Sequence, residues 1–206
     1  MEDVRELQQL QLDALREVAN IGAGHAATAL SQMTNMTVMI SVPKVNVLRL
    51  EEVPELLGKP DDVIACVLMH MLGDLTGRTL VIFPEPSARM LCDILLHRPP
   101  GSTTAFLEME QSGIKEAGNI LSSAYMTALS DFMGMMLLPS VPSLVVDLSG
   151  AVLTTAYLNF GHDRDYVFCV ETAFSFKDSP VQLKGHFLLL PDLASLRAIF
   201  DAIRLT

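Results

Sequence analysis

The sequence is poor in the residue types that build disulfide frameworks and metal sites. Only three of its 206 residues are cysteines, and Cys66, Cys92 and Cys169 each stand alone within an apolar run. An odd, scattered set of this kind is typical of reduced core thiols, which favours a cytoplasmic protein. The five histidines show no metal-ligand spacing with one another or with cysteine, so we expect this chain to bind no metal itself.

Basic residues are also few, with 14 lysines and arginines against 24 aspartates and glutamates. The net charge of −10 and the pI near 4.8 argue against nucleic acid, whose phosphates require basic clusters. No apolar run reaches the roughly 20 residues that cross a bilayer. The acidic start MEDVRELQQL lacks the apolar region of a signal peptide. We therefore expect a globular chain without membrane insertion, whose acidic surface suits protein partners.

One glycine-rich stretch, GAGHAA at residues 22–27, has the Gly-x-Gly-x-x-Ala spacing of a dinucleotide-binding turn. Such a turn needs a strand before it and a helix that opens at the glycines. The preceding run instead has helical spacing, and the side chains predicted to face the core are Leu12, Leu15, Val18 and Ile21. The glycines are therefore predicted to lie inside a helix, where they allow another group to approach the backbone closely.

The chain repeats itself at a shift of 99 residues. Glu17 aligns with Glu116, Asn20 with Asn119 and Ile21 with Ile120. The same shift aligns two further motifs, TALS (28–31 and 127–130) and SVP (41–43 and 140–142). Ungapped agreement over about 30 residues indicates duplication of one supersecondary unit.

The remainder of each copy agrees more loosely, as a strand-like run, a proline and an amphipathic helix. These segments are 75–95 and 183–203, and further strand candidates are VIACVLMHML (63–72) and DYVFCVETAFSF (165–176). We predict one domain, 1–206, made of two quasi-equivalent halves, about 1–100 and 101–206, that meet near HRPPGSTT. The predicted fold is α/β and internally duplicated, with one antiparallel sheet packed with long helices and pseudo-twofold symmetry.

A polar stripe follows from the helical spacing in both copies. At about 100° per residue, Asp13, Glu17 and Asn20 fall within about 60° of one another. The second copy has Ser112, Glu116 and Asn119 at the same spacing. An isolated glutamate and asparagine are ordinary helix-surface residues. Both persist in the two copies, however, while Gly22 has become Leu121 and His25 has become Ala124, which favours a functional role.

The stripe has a definite chemical capacity. An amide can hold a water molecule by donating and accepting hydrogen bonds, and orienting an attacking water is a recognised role in phosphoryl transfer. A carboxylate one turn away can engage a cation near the same phosphate. Small residues one turn beyond each asparagine, Gly24 and Ser123, leave room for a partner to reach it. The site is incomplete alone and would be completed by a phosphorylated partner that brings its own metal.

The doubled pattern Asp/Ser-x3-Glu-x2-Asn-x22-Pro, which ends at Pro43 and at Pro142, resembles the signature of the CheC/CheX/FliY family of chemotaxis response-regulator phosphatases. Two copies in about 200 residues are similar to the CheC members of that family. The resemblance implies hydrolysis of the aspartyl phosphate of CheY. It makes Glu17, Asn20, Glu116 and Asn119 the catalytic residues, with each asparagine orienting water and each glutamate pairing with a receiver lysine.

The same resemblance implies supporting roles for Asp13, Ser112, Pro43 and Pro142, with each proline beginning the strand that follows. It also implies that Mg²⁺ is carried by phosphorylated CheY. A second implied partner is CheD, a receptor deamidase, contacted by PSLVVDLSGAVL with Asp147 in its site. Asp147 is equally interpretable as a strand-end or turn carboxylate.

Two other functions stay open at this point. The chain could be a CheD-binding regulatory module for which CheY-phosphate is mainly a ligand. It could also be a structural component of the flagellar switch, although the additional domain expected of such a protein has no room in this sequence.

Overall fold

A computed structural model of the chain describes residues 9–49, 52–158, 166–177 and 182–204. The described residues form six helices and eight strands in an order that repeats. The first half contains α1 (Gln9–Thr34), β1 (Val38–Ile40), β2 (Lys44–Arg49), α2 (Val53–Leu57), β3 (Val63–Gly73), β4 (Gly77–Pro84) and α3 (Glu85–Leu95). The second contains α4 (Glu108–Met133), β5 (Leu137–Pro139), β6 (Ser143–Leu148), α5 (Ser149–Leu158), β7 (Tyr166–Phe176), β8 (Gln182–Pro191) and α6 (Leu193–Arg204).

The two long helices, α1 and α4, are each 26 residues long and pack against each other. Each ends in a residue with left-handed backbone geometry, Asn35 (φ 53°) in the first copy and Gly134 (φ 64°) in the second. Asparagine and glycine are the residues that adopt this geometry most readily, so both copies end the helix in the same way. The GAGHAA glycines lie inside α1, as predicted from the helical spacing.

All eight strands belong to one antiparallel sheet, and the two halves exchange strands to form it. The order is β1-β7-β8-β4-β3-β5, with β2 also paired to β7 and β6 also paired to β3. The first two strands of each half therefore pair with the third strand of the other half. The central contact, between β4 and β8, also joins the halves. This arrangement confirms the duplicated antiparallel fold.

The sheet has a separate hydrophobic cluster on each face. The larger cluster lies beneath α1, α4, α3 and α6 and includes Val67, Val81 and Phe187. The smaller one contains Cys66 and Cys169 together with residues of α2 and α5. The three cysteines are free and buried, and burial raises the pKa of each thiol to about 12. Within the described ranges, no helix is both long and apolar enough to cross a membrane.

A β-bulge interrupts each pair of edge strands at the repeated SVP motif. Between β1 and β2, residues 41–43 stand opposite only two residues of β7, and residues 140–142 stand likewise opposite two of β3. The serines hold these bulges in the same way. Ser41 donates its N–H to the Ala173 carbonyl (2.9 Å) and accepts the Ala173 N–H on Oγ (3.2 Å). Ser140 makes the same two bonds to His70, at 3.0 and 2.9 Å.

The connection between the halves is anchored to α3 and to the first turn of α4. The buried Asp93 carboxylate accepts hydrogen bonds from the backbone N–H groups of Gly101 (2.6 Å) and Thr103 (2.8 Å). Arg98 pairs with Glu110, and its hydrogen bond lowers the pKa of that carboxyl below the ordinary value. The Pro- and Gly-rich connection is therefore held by specific bonds to the folded core.

The predicted core face of α1 is correct for Leu15 and Val18 and wrong for Ile21. Leu15 and Val18 are 7% and 6% exposed, whereas Ile21 is 44% exposed. The buried stripe continues through Ala19, Ala23 and Ala26, which places Ile21 about 120° from its centre. The side chain of Leu12 lies outside the described residues. The prediction also lacked α2 and α5, the two short helices that cover the second face of the sheet.

Candidate functional site

The polar stripe of α1 lies on the side of the helix opposite the core. Asp13, Glu17, Asn20 and Gly24 are all exposed, while the neighbouring Leu15, Val18 and Ala19 are buried. With a buried face centred near Gly22 and Ala26, the helical angle puts the stripe about 180° away. The core therefore fixes the helix and directs the glutamate and asparagine to the surface.

The second stripe, on α4, has the same arrangement with one difference. Ser112 and Glu116 are exposed, and Asn119 is half-buried. The helix is held from beneath by Ile114, Ala117 and Leu121, all of which are buried. The fold thus displays one glutamate and one asparagine from each half on the outer side of a long helix.

The glutamate and asparagine side chains that repeat in the two copies are available for a partner. Glu17, Asn20, Glu116 and Asn119 make no hydrogen bond or ion pair with any other residue that the structure describes. Asp13 differs, because its Oδ1 accepts a hydrogen bond from Arg16 Nη1 at 2.7 Å within the same helix. Both members of that pair are about half exposed, and such pairs contribute little to stability.

The two glycines near the first stripe, Gly22 and Gly24, lie on opposite sides of α1. A Cβ added to Gly22 would lie 2.6 Å from Tyr125 Cδ1 and 3.1 Å from Tyr125 Cα, so this glycine allows α1 and α4 to approach closely. A Cβ added to Gly24 would meet nothing within 4 Å. The surface one turn beyond Asn20 is therefore open, and the predicted role of Gly24 in admitting a partner stays a prediction. The equivalent Ser123 on α4 is small and half-buried.

The residues kept in both copies divide into those with a structural role and those without one. Ser31 accepts the N–H of Val38 and Ser130 donates its hydroxyl to the Met135 carbonyl, so the repeated TALS serine ties each long helix to the segment that follows it. The SVP serines hold the bulges described above. Glu17, Asn20 and their copies support nothing in the described fold.

The motif prolines occupy the positions expected of them. Pro43 directly precedes β2 and Pro142 directly precedes β6, and each ends a bulge where an N–H is not needed for the ladder. The sequence analysis did not predict the hydrogen bonds of Ser41 and Ser140. The repetition of the whole SVP motif, and not of the proline alone, is the signal from which a role for these serines could have been predicted.

An apolar cavity of about 50 Å³ lies beneath the first stripe. Its walls include Leu15, Val18 and Ala19 of α1, Val45 of β2 and Tyr125 of α4. The Tyr125 hydroxyl is occupied by a 3.0 Å hydrogen bond with Thr172 Oγ1. The cavity presents almost no polar group, so it belongs to the core that supports the stripe and offers no chemistry of its own.

Asp147 lies near the end of β6, an edge strand, and its carboxylate is exposed. Its Oδ1 accepts the N–H of Leu148 at 2.7 Å. The residue is therefore a strand-end carboxylate that remains open to solvent. Among the described residues, no group of three or more His, Cys, Asp or Glu side chains is placed to hold a metal ion.

Taken together, these features define an internally duplicated α/β protein with one Glu/Asn pair on the outer side of each long helix, exposed on α1 and with a half-buried asparagine on α4. Its sequence matches the model of the CheC-like family at two places, residues 10–47 and 109–146, which contain the two stripes and the two prolines. The CheY-P phosphatase CheC of Bacillus subtilis (strain 168) is 34% identical over 199 residues. That match covers 96% of this chain and 95% of the relative. The chain belongs to the CheC-like family.

Solved structures share the fold. The crystal structure of Thermotoga maritima FliY matches with a TM-score of 0.78 and 20% identity, covering 97% of this chain and 98% of that one. A chain of the CheX–CheY–BeF3–Mg²⁺ complex from Borrelia burgdorferi matches with a TM-score of 0.51 and 14% identity, covering 84% and 96%. At these identities the likeness concerns the architecture, in which helices pack on a curled antiparallel sheet.

Proposed function

We propose that this protein is a phosphatase that hydrolyses the aspartyl phosphate of CheY. The observation that carries the proposal is the pair of exposed stripes, whose glutamates and asparagines are retained in both copies without a structural role. The relative from Bacillus subtilis, named a CheY-P phosphatase, supports it. A cytoplasmic location is part of the proposal and is favoured by the three free, buried thiols.

In the proposed mechanism each asparagine positions the attacking water. Its amide both donates and accepts hydrogen bonds, so one side chain can hold a water molecule in line with the phosphorus atom of a docked acyl phosphate. Hydrolysis adds this water to phosphorus, breaks the bond to the aspartyl oxygen and returns a free carboxylate and inorganic phosphate. The chain needs no nucleophile of its own, because the reaction depends on positioning and electrostatics.

Each glutamate has a docking role in this proposal. Glu17 and Glu116 lie one turn before their asparagines, on the same exposed side of the helix. A carboxylate there can pair with a cation beside the partner's phosphate, such as the receiver lysine. The Mg²⁺ would be carried by phosphorylated CheY, in agreement with the presence of BeF3 and Mg²⁺ in the CheX–CheY complex. Asp13 and Ser112 then support the start of each stripe.

The direct test is the decay of purified phosphorylated CheY with and without this protein. We expect decay to accelerate in proportion to catalytic, substoichiometric amounts of the protein. Slower decay, or an effect only at equimolar protein, would replace the phosphatase with the alternative in which CheY-phosphate is a ligand of a CheD-binding module.

We further propose that CheD binds at β6. Both β2 and β6 are edge strands, but the side chains of β2 are mostly half-buried, whereas β6 exposes Val145, Val146 and Leu148 beside Asp147. An exposed edge strand offers unpaired backbone groups to a partner. Asp147→Lys should weaken CheD binding in a calorimetric titration and leave CheY-phosphate hydrolysis unchanged. Unaltered CheD affinity would remove Asp147 from that interface.

A further inference from the structure

The SVP bulges display two valines that contribute nothing to the core. Val42 is 80% exposed and Val141 is 87% exposed, which makes them the most exposed large apolar side chains in the described part of the chain. The other two residues of each motif are accounted for, since the serine bonds across the bulge and the proline ends it. The serine bonds across the bulge do not involve the valine side chain, yet both copies keep valine.

Both valines lie close to a proposed catalytic helix. In the first copy Val45 lines the cavity wall formed with Leu15, Val18 and Ala19, the buried residues on either side of Glu17. Val42 precedes Val45 by three residues, so the two Cα atoms are at most about 10 Å apart. The exposed bulge therefore lies at the sheet edge that packs against the buried side of α1, level with Glu17 along the helix.

The second copy has the equivalent geometry. A Cβ added to Gly118, the residue before Asn119, would lie 2.6 Å from Val67 Cβ, so β3 touches α4 directly beneath the second site. Val67 is paired in the sheet with Leu144, three residues after Val141. Each long helix that carries a Glu/Asn stripe thus has one protruding valine at the sheet edge beneath it.

An apolar contact would complement the charged groups of each stripe. The chain carries a net charge of −10 and each stripe presents a glutamate, while an acyl phosphate on a partner adds roughly two further negative charges at that surface. The pairing of each glutamate with a cation beside the phosphate is local, and an apolar contact beside the stripe would add affinity that does not depend on charge. We propose that Val42 and Val141 are the apolar anchors on which the phosphorylated receiver docks, one at each site. This inference rests on the proposed phosphatase function.

The experiment compares the double variant Val42→Ser/Val141→Ser with the unaltered protein and with a matched control, Leu72→Ser. Leu72 is 49% exposed and, by strand alternation from Cys66, lies on the sheet face away from the long helices. Binding is measured by titrating CheY loaded with beryllofluoride and Mg²⁺, and turnover by the decay of phosphorylated CheY. We expect Kd and KM to rise about tenfold in the double variant, with kcat and the melting temperature unchanged.

Three outcomes would overturn the proposal. They are an unaltered Kd in the double variant, an equal loss in Leu72→Ser, and a lowered melting temperature, which would assign the valines to the fold. The phosphatase proposal fails in a different way, through absence of turnover by the unaltered protein. The two failures are therefore distinguishable in one set of assays.

Discussion

Leu15 and Ile21 lie six positions apart on α1 but face different surroundings. Leu15 is buried against the sheet and Ile21 is 44% exposed beside the polar stripe. Leu15→Ala should lower the free energy of unfolding by about 2 to 5 kcal/mol, because it enlarges an existing cavity. Ile21→Ala should change it by less than about 0.5 kcal/mol. Denaturant unfolding of the two variants checks this, and the reverse order would contradict the orientation of α1.

At the residue scale, the sequence was sufficient to predict an exposed polar stripe and insufficient to define the whole core face. Glu17 and Asn20 stand out as candidate site residues because duplication separates retained residues from drifting ones. Ile21 was wrongly placed because it follows Val18 at a helical step of three. The true buried stripe is built from small residues, Ala19, Ala23 and Ala26, which carry little hydrophobic signal.

Close packing at the element scale depends on Gly22. A methyl group at this position would overlap Tyr125 of α4, whereas a methyl group at Gly24 would enter open space. Gly22→Ala should therefore destabilise the protein by about 1 to 3 kcal/mol. Gly24→Ala should stabilise it by up to about 1 kcal/mol, since alanine is the better helix former. Thermal melts of the two variants give the comparison, and equal shifts would contradict the helix contact.

Long periodic elements were predictable and short ones were not. The helical spacing of 12–21 and the strand-like runs that became β3 and β7 were read correctly. The two short helices have no helical periodicity that could be detected. These are α2, with the sequence VPELL, and α5, with the sequence SGAVLTTAYL, whose apolar residues lie on all sides of the helix. The bulges were missed because they depend on pairing between residues about 70 and 130 positions apart.

The whole molecule is held together by strands exchanged between its halves. We propose that the segments about 1–100 and 101–206 form a single domain, because β1 and β2 pair with β7 while β5 and β6 pair with β3. Neither half should fold alone as a monomer, and co-expression of both should restore a complex. Circular dichroism and gel filtration check this. A cooperative melt from either isolated monomeric half would contradict it.

This exchange could not be predicted from the sequence. The repeat predicted one antiparallel sheet shared by two halves, but the alternation of apolar residues does not specify which strand pairs with which. Partner choice depends on tertiary contacts across the pseudo-twofold axis, such as the β4–β8 pairing. The consequence for function is that each site helix lies on strands of a sheet to which both halves contribute.

The two sites should act independently in catalysis, because in the proposed mechanism each asparagine positions water only in its own half. Asn20→Ala and Asn119→Ala should each leave part of the activity. In the double variant, loss of the oriented amide at both sites should lower turnover by about two powers of ten or more. The fold should be unaffected, since neither side chain bonds to another described residue.

The measurement that tests the central claim most directly is therefore the decay rate of phosphorylated CheY with the double variant Asn20→Ala/Asn119→Ala. The protein must be shown to be folded by its melting temperature and still able to bind CheY loaded with beryllofluoride and Mg²⁺. We predict that the accelerated decay disappears while binding remains. A folded double variant that dephosphorylates CheY at the unaltered rate would contradict the catalytic role of the two asparagines.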